Sequence, residues 1–165
     1  MASFHTIVAA VDFSDITGEV LETARDLARL NHARLHVIHA VGDPFRSMYT
    51  VETGAFDFTD MIRQWTEAAQ KQLASLVEKY PIEPGLLTTA VLEGAPADAI
   101  VEYADEQQAD LLVVGSHGRG AVSRLLLGSV AERVLHLARR SVLVVYHRAR
   151  HLTPFEVKAA AGVGA

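Results

Sequence analysis

The residues best suited to chemistry form one run, Gly115-Ser116-His117-Gly118-Arg119-Gly120-Ala121-Val122-Ser123-Arg124-Leu125-Leu126-Leu127-Gly128-Ser129-Val130. It follows an apolar segment and passes into a helical pattern. Glycines at the end of a strand let a ligand approach the backbone closely. A helix opening at Gly128-Ser129 then aims free N–H groups and the positive end of its dipole at that ligand. The combination favours an anion. The Ser129 hydroxyl can bond an anionic oxygen, and Arg119 and Arg124 supply positive charge, so phosphate is the economical ligand. The competing reading is that Gly115 and Gly118 only turn the chain and Ser129 only caps a helix. Each is common singly, but the joint arrangement disfavours it.

Other chemistries fit the residues less well. A P-loop needs Gly-Lys-Ser/Thr, and no Gly-Lys pair occurs in the chain. The dinucleotide fingerprint Gly-x-Gly-x-x-Gly belongs after the first strand, whereas Gly-x-x-Gly-x-Gly occurs here after the fourth. Ser116 lies outside a Gly-x-Ser-x-Gly elbow, and no acid–base pair can be placed beside it, so no catalytic residue is assigned. His32, His36 and His39 cluster in the sequence, but on a strand His36 and His39 face opposite ways, so no metal site is assigned. His117 reads equally as an exposed loop histidine or a phosphate contact.

The elements that must position the glycine run can be read from periodicity. Thr6–Val11 is an apolar, β-branched run that stops at Asp12-Phe13-Ser14-Asp15. Ser14 or Asp15 is expected to cap the next helix, whose apolar face is Val20, Leu21, Ala24, Leu27 and Ala28. Arg34–Val41 is a second strand, closed by Gly42-Asp43-Pro44. Phe45–Thr59 shows no period and reads as an irregular connection. Ile62, Trp65, Ala69, Leu73, Leu76, Val77 and Tyr80 make a helical stripe ended by Pro81, with Trp65 expected in the core. Leu86–Leu92 is a third strand, and Pro96 opens a helix that turns Ile100, Val101 and Ala104 inward. Asp110–Gly115 is the fourth strand, Val130–Arg139 a helix, and Ser141–Tyr146 the last strand.

Strands alternating with helices imply right-handed crossovers and a parallel sheet covered on both faces. The expected fold is therefore α/β, one doubly wound domain with five parallel strands in the order 3-2-1-4-5. In such a sheet ligands bind beyond the carboxyl ends of the strands, where the winding reverses. Those ends carry Asp12, Val41 and Gly115, so Asp12 reads as a ligand contact in preference to a simple helix cap. The domain is expected over 1–147, with 148–165 as a mobile tail that has no apolar period to anchor it.

The spacing Gly115-x2-Gly118-x9-Gly128-Ser129, on a strand-loop-helix unit, resembles the nucleotide-binding motif of the universal stress protein family. The resemblance extends to Val11-Asp12-Phe13-Ser14 and to Val130-Ala131-Glu132-Arg133-Val134, and so spans about Phe4 to Tyr146. It implies membership of the ATP-binding branch and a binding set of Ala10, Asp12, Val41, Gly115, His117, Gly118, Arg119, Gly128, Ser129 and Val130. In that set Asp12 meets the ribose and the Val41 backbone meets the adenine edge. Gly115, His117 and Gly118 line the phosphate path, and Gly128, Ser129 and Val130 donate to the β and γ phosphates. The resemblance also allows Mg2+ to bridge those phosphates, and it implies a homodimer through Ser141–Tyr146. Ala131 departs from family binders that carry a hydroxyl there.

Composition sets the outer limits. The chain has 165 residues, about one domain, with 50% hydrophobic and 21% charged residues. A net charge of -5, spread along the chain, offers no cationic surface for nucleic acid. There is no cysteine, which excludes disulfides and thiolate chemistry. The first residues lack a signal-peptide pattern and no apolar run reaches the roughly 20 residues of a membrane span, so a cytoplasmic protein is expected. These readings favour a nucleotide-dependent regulatory or stress-response protein, with an unknown protein partner in view. A slow ATP hydrolase and an interaction module without nucleotide remain the alternatives.

Overall fold

The computed structural model describes residues 3–42, 59–82, 85–116 and 127–146. Within them nine elements alternate in the order β1 Thr6–Ala10, α1 Thr17–Asn31, β2 Arg34–Val41, α2 Thr59–Val77, β3 Leu87–Glu93, α3 Pro96–Glu106, β4 Leu111–Gly115, α4 Ser129–Leu137 and β5 Ser141–Val145. All strand pairings are parallel, as the alternation of elements implies, and the sheet order is β3-β2-β1-β4-β5, the one expected. The expected connection over 45–59 and the tail over 148–165 fall almost wholly outside the described residues.

The strands are apolar throughout because both faces of the sheet are buried. Ile7, Ala9, Leu35, Val37, Leu111 and Val113 point to one face, where Val20, Leu21 and Ala24 of α1 and Leu73 of α2 cover them. Val8, Ile38, Leu112 and Val114 point to the other, against Ile100 and Ala104 of α3 and Ala131 and Val134 of α4. The period-2 alternation of the strands thus divides one apolar run between two cores. It also separates two histidines of β2: His36 bonds Tyr103 of α3, while His39 packs on Phe13 before α1.

Two local expectations are corrected. Neither Ser14 nor Asp15 caps α1; the N-cap is Ile16, with no side-chain cap bond. Asp12 captures Ser14 instead, its Oδ1 accepting the Ser14 hydroxyl and backbone N–H. The chain turns by this local carboxylate bond, and the Ser14 carbonyl then accepts the Thr17 N–H at 3.0 Å. Trp65 is not in the core but 38% exposed. The helix α2, about 28 Å long at 1.5 Å per residue, exceeds the strands it covers. Its full burial begins only at Ala69 and continues at Leu73, which leaves Trp65 one turn outside.

Charged side chains tie the opening edge of the sheet together. The Asp110 carboxylate accepts the His5 and Thr6 N–H groups at 2.7 and 2.9 Å, clipping the start of β4 to the start of β1. These two charge-dipole bonds hold its carboxyl below the usual carboxylate range. On the far face Arg133 of α4 bonds Asp98 of α3, and Arg140 bonds Asp105 and the Ala109 carbonyl.

Candidate functional site

The strand order puts β1 between β2 and β4. From β1 the chain winds one way to β2 and β3 and the other way to β4 and β5, so the reversal lies between β1 and β4, where neighbouring crossovers part and leave a crevice. Ala10, the last residue of β1, is in register with Ile38 of β2 and Val114 of β4. Asp12 follows two residues later, half-buried at that mouth. Its Oδ1 is engaged by Ser14 in the turn described above.

Gly115 completes β4 in register with Val145. The next residue, Ser116, is wholly buried, and its N–H donates to the Val145 carbonyl at 2.7 Å. The Ser116 carbonyl accepts the Gly128 N–H at 2.6 Å. The chain that leaves at Ser116 therefore returns to the same point, and the N-terminus of α4 is pinned to the end of β4. His117, Gly118 and Arg119 lie in between, outside the described residues.

Gly128 is the N-cap of α4, with φ −66° and ψ 148°. These angles suit any residue, so nothing in the backbone demands glycine there. Ser129 is the first helical residue and not the cap, which removes the capping explanation for it. The first bond of the helix runs from the Glu132 N–H to the Gly128 carbonyl at 2.9 Å. The three preceding N–H groups, of Ser129, Val130 and Ala131, can have no acceptor within the helix. Ser129 and Val130 are exposed, whereas the Ala131 side chain is packed in the core. An exposed helix start beside a strand end is suited to an anion.

Val41 ends β2 at the buried margin of the mouth. Its carbonyl accepts the Gly94 N–H at 3.1 Å, which leaves one lone pair on that oxygen. The structure thus brings Ala10, Asp12, Gly115, Gly128, Ser129 and Val130 to the carboxyl ends of β1 and β4, and Val41 to the end of adjacent β2.

The family model for the universal stress protein family matches residues 3–146. The chain belongs to the universal stress protein family. A universal stress protein of Methanocaldococcus jannaschii is 33% identical over 144 residues, covering 86% of this chain and 82% of that protein. Among solved structures, a universal stress protein in complex with cAMP superposes with a TM-score of 0.60 at 27% identity, covering 88% of this chain and 98% of that one. The universal stress protein of Archaeoglobus fulgidus in complex with dAMP does so with a TM-score of 0.56 at 27% identity, covering 87% and 98%.

In this universal stress protein the residues that sequence reasoning missed are Phe13 and His39. Phe13 adopts φ +59°, a left-handed turn that a bulky aromatic enters rarely. His39 reads in the sequence only as a candidate metal ligand, yet its Nδ1 lies 2.7 Å from the Val11 carbonyl and its ring 4.4 Å from that of Phe13. The signal was the Asp-Phe-Ser turn itself, but its partner on β2 is remote in sequence. A groove of about 360 Å³ lies beside this turn, lined by Phe13, Ser14, Thr17, Gly18, Gln72, Ser75, Leu76 and Lys79. None of the predicted binding residues within the described part of the chain lines it.

Proposed function

We propose that this universal stress protein binds an adenine nucleotide, ATP in the first place, across the carboxyl ends of β1, β2 and β4, and serves as a nucleotide-dependent regulatory or stress-response protein. The observation that carries the reading is the exposed start of α4, pinned through Gly128 and Ser116 to the end of β4 beside the Asp12 carboxylate. A carboxylate and an anion-binding helix start at one mouth suit a ligand with hydroxyls at one end and phosphates at the other. The relatives solved with cAMP and dAMP support the adenosine part.

Under this reading Asp12 accepts from the ribose hydroxyls, and the remaining lone pair of the Val41 carbonyl, with the adjacent backbone at Ala10, meets the adenine. Gly115, His117, Gly118 and Arg119 line the phosphate path. The Gly128 N–H, expected to donate as well, is already given to the Ser116 carbonyl, so the Ser129 and Val130 N–H groups and the Ser129 hydroxyl receive the β and γ phosphates over the Gly128 backbone. When bound, Mg2+ would neutralise phosphate charge. At Ala131 only the N–H can contribute, since its side chain is in the core.

Releasing ligand from freshly purified protein by denaturation and identifying it tests the reading. ATP at near one equivalent supports it. ADP formed over several turnovers favours the slow hydrolase, and failure to bind any adenine nucleotide favours the interaction module. The same reading includes a homodimer through β5, an apolar strand at the sheet edge. No described helix is long and apolar enough to cross a membrane.

A further inference from the structure

One side chain holds both residues that flank Asp12. On the upstream side, Val11 has its N–H bonded to the Ile38 carbonyl at 2.9 Å and its carbonyl bonded to His39 Nδ1 at 2.7 Å. A carbonyl only accepts, so Nδ1 carries the proton. Without that donor the Val11 carbonyl would sit at the frayed end of β1 beyond the ladder, and a buried acceptor needs a partner. On the downstream side, the His39 ring lies 4.4 Å from the Phe13 ring at an interplanar angle of 39°. Phe13 is the residue at φ +59°, a conformation that persists only where the surroundings hold it.

Register explains why β2 can do this. His39 is in register with Val91 of β3, and its side chain points to the α1 face, as does the Phe13 ring. His39 is only half-buried, so its bond to Val11 and its contact with Phe13, not enclosure, keep the imidazole in place. The Asp12 carboxylate is tied further by its bonds to Ser14.

We infer that His39 is a positioning residue for the nucleotide site: by gripping Val11 and Phe13 it fixes the direction in which Asp12 presents its carboxylate. The inference rests on the adenine-nucleotide reading and assigns the group that sets the aim of its ribose contact. A residue that merely fills the core would instead lower global stability and leave binding to the folded protein unchanged.

The test is a double-mutant cycle read by calorimetry with ATP. His39→Phe keeps a ring against Phe13 but removes the donor, and His39→Asn keeps a donor near the Nδ1 position. His39→Phe is expected to weaken ATP at least about fivefold, the worth of one hydrogen bond, and His39→Asn to recover most of that loss. In an Asp12→Ala background the same His39→Phe change should add less than about twofold, because residues acting through one another are not additive. Unchanged affinity in His39→Phe, or equal losses in both backgrounds, overturns the inference. A second readout needs no nucleotide: amide exchange at Ser14, whose N–H bonds Asp12 Oδ1 at 3.0 Å, should quicken in His39→Phe while that of Leu112 in the core does not. Equal protection at Ser14 in both proteins overturns the inference as well. Should the wild type fail to bind ATP, the nucleotide reading falls, and with it the site role of His39, while Ser14 exchange still reports whether His39 holds the turn.

Discussion

At the scale of single residues, the site depends on a carboxylate and a bare N-cap. Asp12 already spends Oδ1 on Ser14, so its exchange for alanine removes both a turn bond and the proposed ribose contact. Asp12→Ala is expected to weaken ATP by about 1.5–3 kcal/mol, the value of a hydrogen bond to a charged group. Wild-type affinity by calorimetry would put the ligand elsewhere. Gly128 makes a sharper case because its backbone angles are ordinary. A substitution there carries no left-handed strain, so its effect reports the space above the helix start. Gly128→Val should fold with near-normal melting and lose ATP binding; retained binding would mean the phosphates do not pass over this residue.

At the scale of elements, β5 poses the question. It lies at the edge of the sheet with Val142, Leu143, Val144 and Val145 only half-buried, and Tyr146 after it is 60% exposed. An apolar edge with free backbone groups invites pairing. The Val145 carbonyl accepts the Ser116 N–H, and peptide directions alternate along a strand, so the Val144 N–H points away from β4 toward the open edge. Val144→Pro therefore deletes a donor of the proposed dimer and spares the β4 ladder. Sedimentation at tens of micromolar should find a dimer for the wild type and a monomer for Val144→Pro; a monomeric wild type rejects the dimer. The opposite end of the sheet offers a simpler test. Asp110 holds β1 to β4 through two backbone N–H groups, but its side chain is 39% exposed. Solvent screening reduces the expected cost of Asp110→Ala to about 1 kcal/mol, measurable by urea unfolding.

At the scale of the whole molecule, ligand and pH both act on the folding equilibrium. A ligand that binds only the native state raises its stability by mass action, so ATP should raise the melting temperature of nucleotide-free protein. No shift at saturation would contradict the proposed function. Toward acid, two groups among the described residues have lowered pKa values. Burial, and then the nearby Arg34 charge, hold His36 below its ordinary 6.5. Its stabilising effect is complete above that value and is lost as pH falls through the lower folded value. Asp110, held below 3.8 by its bonds to His5 and Thr6, adds a second loss at lower pH by the same sign. Stability measured against pH should decline first below about 6.5, and His36→Gln should remove that first step while leaving the second. Tyr103 moves the other way: burial first, and Glu106 second, raise it above 10.0, so its contribution holds at neutral pH and fades only in strong alkali.

Much of this was readable along the chain because it is encoded locally. Apolar runs such as Leu111–Val114 mark strands buried on both faces, and their alternation with amphipathic helices leaves few topologies for a parallel sheet. The parallel sheet, the end of β1 just before Asp12, the end of β4 at Gly115 and the helix start at Gly128-Ser129 all follow from pattern and spacing, and the order β3-β2-β1-β4-β5 is one of the few that these leave. What the sequence could not determine is where a partner lies across the fold. Ser14 was free by its type to cap α1, but the Asp12 carboxylate reaches it first. Trp65 falls on the apolar stripe, yet the stripe outruns the strands beneath it. His39 stands 28 residues from Val11, and only the parallel register of β2 against β1 brings its ring to the turn that bears Asp12. Side-chain periodicity reports which face a residue takes, whereas the atom it meets there depends on strand register and on how far each helix extends over the sheet, and both are decided only when the layers pack.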